Sequence, residues 1–232
     1  MKKFFTLIAT VAMATSMNAQ GTYAVQEGDN VKAGDQITSV ENITLTYMEK
    51  DGTAYAAVKK QTNWADADFN AYVCGKNNGK LVSGAEPTGC VYKFETAKAG
   101  ALTVGVQLNA SKGFHILDAE FAEVAPASYN LPAAKDGDSQ EFTENEKGEN
   151  IIGAKSNGTV TFNVAEGGTY YVLAAGTKMG FFGFKYEAGT STGISSIEAA
   201  SAQHGKTYNM AGQLVSGSFK GLVIKNGKKF VK

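Results

Sequence analysis

From its N-terminus onward the chain alternates apolar and polar positions in short runs broken by glycine, asparagine and aspartate. Ile43, Leu45 and Tyr47 alternate with Thr44 and Thr46, and Lys50-Asp51-Gly52 then turns the chain into residues 53–58. Such a period of two marks a half-buried strand, because successive side chains leave the pleated backbone on opposite faces. Tyr72-Val73-Cys74 leads into a hairpin-type turn at Lys76-Asn77-Asn78-Gly79, and residues 91–94 run to a turn at Ala99-Gly100. Leu102, Val104, Val106 and Leu108 line one face of the next strand, and Phe114–Leu117 makes another. Val160, Phe162 and Val164 alternate out of a Ser156-Asn157-Gly158 turn. Glu166-Gly167-Gly168 then turns into residues 169–174, and a last strand holds Phe182, Phe184 and Tyr186 together on a core-facing side. At least eight strands, with no stretch of 3.6-residue periodicity, predict an all-β fold: an antiparallel, jelly-roll-like β-sandwich.

Two stretches break this rhythm. Residues 118–150 are polar and irregular, and read as a floppy loop inside the β domain. Gly189-Thr190-Ser191-Thr192-Gly193 reads as a small-residue linker, placed at 189–195, that ends a sandwich domain of residues 20–188. Beyond it, residues 196–232 form a small C-terminal β appendage of two hairpin-like units. In the first, Thr207-Tyr208-Asn209-Met210 turns at Ala211-Gly212 into Gln213-Leu214-Val215. In the second, residues 222–225 turn at Asn226-Gly227 into residues 228–231. Asn-Gly is among the strongest two-residue hairpin signals, because both residues tolerate the positive φ of a type I′ turn.

The first 19 residues change the picture from fold to destination. Met1-Lys2-Lys3, a short apolar run to Met13, and a small residue at Ala19 form the basic, apolar and cleavage regions of a secretory signal peptide, with Gln20 as the mature N-terminus. The apolar run is too short to span a bilayer, which needs about 20 residues. No cysteine follows the cut, which argues against a lipid anchor, and no later stretch is apolar enough for a transmembrane segment.

Charge and composition mainly exclude. Acidic and basic residues balance at 22 each, so net charge directs the chain to neither nucleic acid nor a membrane surface. Every basic residue is lysine, so any mechanism built on the bidentate fork of arginine is excluded. Nine acids crowd residues 118–149, whereas no acid follows Glu198. Cys74 and Cys90 are the only cysteines; in an exported chain they are expected to form a disulfide closing a 17-residue loop. That bridge would add about 3 kcal/mol by chain entropy. The alternative is two thiols on separate strands.

The tail "YNMAGQLVSGSFKGLVIKNGKKFVK", residues 208–232, resembles the C-terminal sorting domain of proteins exported by the type IX secretion system. The matching residues are Tyr208, Asn209, Gly212, Gln213, Lys220, Gly221, Asn226, Gly227 and Lys228. The resemblance covers about the last 40 residues and implies recognition by secretion machinery, with the tail cleaved or retained at the surface. Within the central domain, "YYVLAAGTKMGFFGFKYE" (170–187) and "CVYKFETAKAGALTVGVQLNASKGFHIL" (90–117) resemble non-catalytic β-sandwich modules found beside pectate lyases and other glycan-degrading enzymes. That resemblance implies a carbohydrate-binding role.

A sugar-binding sandwich needs an exposed aromatic to stack on pyranose rings and polar groups to orient them. Trp64, the only tryptophan, sits among Gln61, Asn63, Asp66, Asp68 and Asn70, and is the first candidate; Tyr72 is the second. Asp66-x-Asp68-x-Asn70 has the spacing that opens a calcium loop, but Ala71 stands where the loop glycine belongs and Asn77 where its closing glutamate belongs. These carboxylates read as solvated turn residues and potential sugar ligands, and no metal or cofactor is expected. His115 and His204, the only histidines, lie 89 positions apart. No nucleophile elbow, HExxH or phosphate loop occurs, so no catalytic residue is assigned. The expectation is a secreted or surface-attached protein that binds polysaccharide. The rivals are an adhesion protein, which needs a large exposed apolar patch, and a small glycan hydrolase, which needs two carboxylates facing each other in a cleft.

Overall fold

The computed structural model describes residues 20–49, 55–60 and 62–189, with the strand residues 207–209, 222–225 and 228–231; for 56–60 and the tail strands it describes the backbone. The expected signal peptide, residues 190–195 and the Gln213-Leu214-Val215 half of the expected first tail hairpin lie outside the described residues. By its internal contacts the chain divides into residues 1–190 and 191–232. No helix of the described residues is long and apolar enough to cross a membrane.

In chain order the first unit forms β1 (Gln20–Ala24), β2 (Gln36–Ile37), β3 (Ile43–Met48), β4 (Ala56–Lys60), β5 (Ala71–Cys74), β6 (Lys80–Val82), β7 (Ala85–Thr88) and β8 (Val91–Thr96). It continues with β9 (Gly100–Leu108), β10 (Phe114–Leu117), β11 (Ser128–Asn130), β12 (Thr143–Glu144), β13 (Asn150–Ile151), β14 (Ser156–Val164), β15 (Thr169–Ala174) and β16 (Gly180–Ala188). The first sheet runs β11-β14-β9-β16-β5-β4, with β1 also paired to β16; the second runs β12-β13-β10-β15-β8-β3-β2. All pairings between these named strands are antiparallel. From β8 to β16 successive strands alternate between the two sheets at every step except β12 to β13, which stay together in the second. The orders β5-β16-β9-β14 and β8-β15-β10-β13 are those of a jelly roll, two interlocked Greek keys.

One hydrophobic core fills the space between the sheets. Leu102, Val104, Val106 and Leu108 of β9 face Leu45 and Tyr47 of β3, Tyr92 and Phe94 of β8 and Val172 of β15, as period-two alternation requires. Its centre is aromatic: the Tyr92 ring stacks on Phe181 at 4.5 Å between centroids, and Tyr47 meets Phe181 edge-on at 6.0 Å. The Tyr92 hydroxyl donates to the Met179 carbonyl at 2.9 Å, so this buried phenol is satisfied.

Three expectations about local structure are corrected by long-range pairing. Phe182 is fully buried but does not share a face with Phe184 and Tyr186. A β-bulge between Phe181 and Gly183 shifts the register, so Phe181, Phe184 and Tyr186 enter the core while Phe182 packs outside the sheet against Tyr72. Gly183 makes the bulge possible, with φ of 136°; a Cβ there would run into the Tyr23 carbonyl of β1. Ser156-Asn157-Gly158 is the start of β14 rather than a turn, because Asn157 finds partners there: Gln107 Nε2 donates to its Oδ1 at 2.9 Å, and its Nδ2 donates to the Thr62 carbonyl at 3.2 Å.

The third correction concerns residues 118–150, which are built rather than floppy. β11 pairs with the edge of the first sheet and β12 with β13 of the second, so this segment reaches both sheets. Leu131 enters the core, Phe142 stacks on Phe114 at 5.7 Å, and Tyr129 packs edge-on against Phe142 at 4.7 Å. A few apolar residues, widely spaced in sequence, hold an otherwise acidic segment.

In the second unit β17 (Thr207–Asn209), β18 (Leu222–Lys225) and β19 (Lys228–Val231) form a sheet in the order β17-β18-β19. Lys225 pairs with Lys228, the register a two-residue Asn-Gly connection requires. β17 pairs with β18.

Candidate functional site

The outer face of the first sheet carries Tyr72 and, through Lys185, Asp66 and Asp68. Phe69, fully buried, anchors the segment between β4 and β5 onto this face, where Gly105 of β9 leaves room: a Cβ at Gly105 would lie 2.6 Å from the Phe69 ring. Alternation along β5 turns Ala71 and Val73 inward and leaves Tyr72 on the same outer face, half-buried, its ring 5.6 Å from that of Phe182. Trp64 is half-buried and Asn70 exposed.

Asp66 and Asp68 are paired carboxylates, Asp66 half-buried and Asp68 exposed. Lys185 of β16 places its ammonium 2.5 Å from Asp66 Oδ2 and 2.9 Å from Asp68 Oδ2, with the Phe69 ring centroid 5.5 Å away. Burial opposes the charge on Lys185, but the two carboxylates outweigh it and raise its pKa. The Asp-x-Asp pair is thus charge-compensated from within the protein, through one oxygen of each carboxylate. Sequence gave no sign of Lys185, which lies over 100 positions away.

The expected disulfide is also corrected: Cys74 and Cys90 are thiols. Alternation puts Cys74 on the outer side of β5 with Tyr72, whereas Cys90 is a member of the core cluster. There the Cys90 sulfur accepts the Gly75 N–H at 3.0 Å and lies 3.5 Å from the Tyr92 hydroxyl. Burial pushes the Cys90 thiol up to about 11.

A cavity of about 600 Å³ lies elsewhere, between the end of β3, the β5–β6 connection and the β6–β7 hairpin. Residues 76–79 do not join two paired strands as expected; β6 pairs with β7 instead, and the connection frames this cleft. Met48 and Pro87 give it apolar lining, and Glu49, Asn77, Lys80 and Glu86 are among its polar lining. Glu49 Oε1 accepts the Asn77 backbone N–H at 2.9 Å and Oε2 accepts Asn77 Nδ2–H at 3.1 Å, fixing carboxylate and amide together. Glu86 Oε1 accepts the Tyr171 hydroxyl at 2.9 Å, and burial together with that carboxylate raises the phenol to about 12. Gly89, with φ of 82°, packs where a Cβ would strike the Asn78 carbonyl, which seats the connection against the hairpin. Hydrogen-bonding groups held by their own protein neighbours are pre-organised for a polar ligand. None of these residues belongs to a recognisable motif; only the adjoining Asn77-Asn78 turn was visible in sequence.

Compared with known proteins, the chain matches no family model and no curated protein.

Proposed function

We propose that this is an exported, secreted or surface-attached, non-catalytic protein that binds polysaccharide through the cleft of Glu49, Asn77 and Glu86. The carrying observation is the composition of that cleft: fixed carboxylate and amide groups beside Met48 and Pro87, in a space of about 600 Å³. Sugars present hydroxyls to carboxylates and amides and weakly apolar C–H faces to side chains such as these. The half-buried Tyr72 of β5 and Trp64 of the β4–β5 connection supply a second candidate surface. The tail resemblance supports an outer-surface or secreted destination, with secretion machinery as the partner of residues 208–232.

Both cleft carboxylates accept hydrogen bonds from their own protein, which favours a binding role over a hydrolytic pair. Among the described residues the exposed large apolar side chains are Leu81 and Val82, at 42% and 41% exposure, too few for the apolar patch of an adhesion surface.

A glycan array probed with the mature chain tests this reading. Binding lost in Asn77→Ala and kept in Trp64→Ala assigns the cleft; the reverse assigns the surface that carries Trp64. If no glycan binds, the proposal falls, and protein pull-down becomes the next experiment.

A further inference from the structure

The outer face of the second sheet holds a buried imidazole that the glycan reading does not use. Alternation along β10 sends Phe114 and Ile116 into the core and His115 to the other face, opposite Leu173 of β15. His115 is only 3% exposed. Its Nδ1 lies 2.5 Å from Glu123 Oε1, a charge-assisted hydrogen bond. Its Nε2 has no hydrogen-bond partner and faces Glu149 Oε1 at 3.6 Å, beyond hydrogen-bond reach. Beside them is a cavity of about 230 Å³ lined by Glu123, Glu144 and Glu149 and by no lysine.

This arrangement has an uncompensated electrostatic balance. An imidazole whose Nδ1–H donates to Glu123 presents a lone pair at Nε2. A lone pair and a carboxylate oxygen facing each other repel unless a positive charge lies between them. The spacing says which kind. Two ligand atoms each about 2.1 Å from a tetrahedral zinc ion lie about 3.4 Å apart, close to the observed separation. The Glu123 carboxylate on the distal nitrogen is the partner that metal-binding histidines use to fix tautomer and ring orientation. Glu149 is also held, its Oε2 accepting Asn145 Nδ2–H at 2.7 Å. Gly113 keeps the gap open: a Cβ there would stand 2.9 Å from His115 Nε2 and 2.8 Å from Glu149 Cδ.

We propose that His115 Nε2 and Glu149 Oε1 bind a divalent d-block cation, with zinc the best match, and that Glu123 is the positioning residue behind the imidazole. Among the described residues no three His, Cys, Asp or Glu side chains form a ready-made cage, so water completes the coordination and the site is open. An imidazole ligand selects such a cation over calcium or magnesium. The ligands join β10 to the residue preceding β13, so the ion staples the acidic segment to the second sheet and stabilises the folded chain by mass action.

With two histidines in the chain, the test is clean. Zinc chloride is titrated into the full mature chain by calorimetry, and the imidazole nitrogen signals are followed by NMR. The expected result is one-site binding with a zinc-dependent rise in Tm and a shift confined to the His115 nitrogens. Glu123→Gln should weaken binding about 10- to 100-fold. His115→Ala, Glu149→Gln and Gly113→Ala should abolish it, and His204→Ala should leave it unchanged. Gly113→Ala retains both ligands, so it tests the site even if His115→Ala fails to fold. Binding that survives Gly113→Ala, or that disappears in His204→Ala, overturns the proposal. So does a His115 signal that follows pH and ignores zinc, which would mean that a proton fills the gap.

Discussion

Lys185 of β16 and Asp66 of the β4–β5 connection meet at 2.5 Å, nitrogen to oxygen, although 119 positions separate them in the chain. The contact pins the segment carrying Trp64 to the outer face of the first sheet. Asp66 is 17% exposed and Asp68 64%, so the two carboxylates should differ in their contribution. Asp66→Asn is expected to destabilise the sandwich by about 1–2 kcal/mol and Asp68→Asn by less than about 0.5 kcal/mol, read by urea denaturation. Equal effects would mean that the pair acts only as a diffuse surface charge.

Gly183→Ala should be far more damaging than a surface glycine substitution. It combines positive φ with a collision between β16 and β1, where Tyr23 pairs with Phe184 and Ala24 with Gly183 itself. A loss on the order of 2–4 kcal/mol is expected, with hydrogen exchange rising first in residues 20–24. Gly176→Ala, also at positive φ but with open space around it, should cost about 1 kcal/mol.

Cys90 should be unreactive in the folded chain. With its thiol raised to about 11, roughly one molecule in a thousand carries the thiolate at about pH 8. Iodoacetamide should label Cys90 only after unfolding, and intact mass should show both sulfurs reduced. A mass lower by two hydrogens would restore the disulfide.

Alkaline conditions should unfold the domain. Burial raises Tyr47, Tyr55 and Tyr92 far above the ordinary phenol range. Groups with raised folded pKa values contribute stability that is whole below their unfolded value, about 10, and lost as pH climbs past it, because only the unfolded chain ionises freely. Lys185 acts in the same direction, since its partners hold the proton in the folded state. Stability from these groups should therefore be level to about pH 9 and then fall, by about 1.4 kcal/mol per pH unit for each of the three tyrosines. Phenolate absorbance from all ten tyrosines before any loss of structure would contradict this.

The acidic segment should resist a glutamate-specific protease despite its composition. Phe142→Ala removes the ring that stacks on Phe114 and meets Tyr129, and should expose Glu141 and Glu144 to cleavage while the rest of the sandwich stays folded. Equal cleavage of wild type and variant would return this segment to the status of a loose loop.

The sequence alone determined the fold class and its inner rows. Leu102 to Leu108, Ile43 to Tyr47 and Val160 to Val164 declare strands because alternation is a local property, set by the pleat of each strand on its own. It also marked the tail hairpin at Asn226-Gly227. Tertiary structure decided everything that depends on which strand lies beside which. One extra residue at Phe182 reverses the face of a ring, which no local period reveals. Asn157 becomes a strand residue because Gln107 and Thr62 satisfy its amide, and residues 118–150 are ordered by Leu131 and Phe142 meeting apolar partners far away in sequence. The Asp66–Lys185 pair, the Glu49–Asn77 cleft and the Glu123–His115–Glu149 row are likewise products of chain crossing. Burial and partners belong to a residue's spatial neighbours, and the jelly roll draws those from distant parts of the chain.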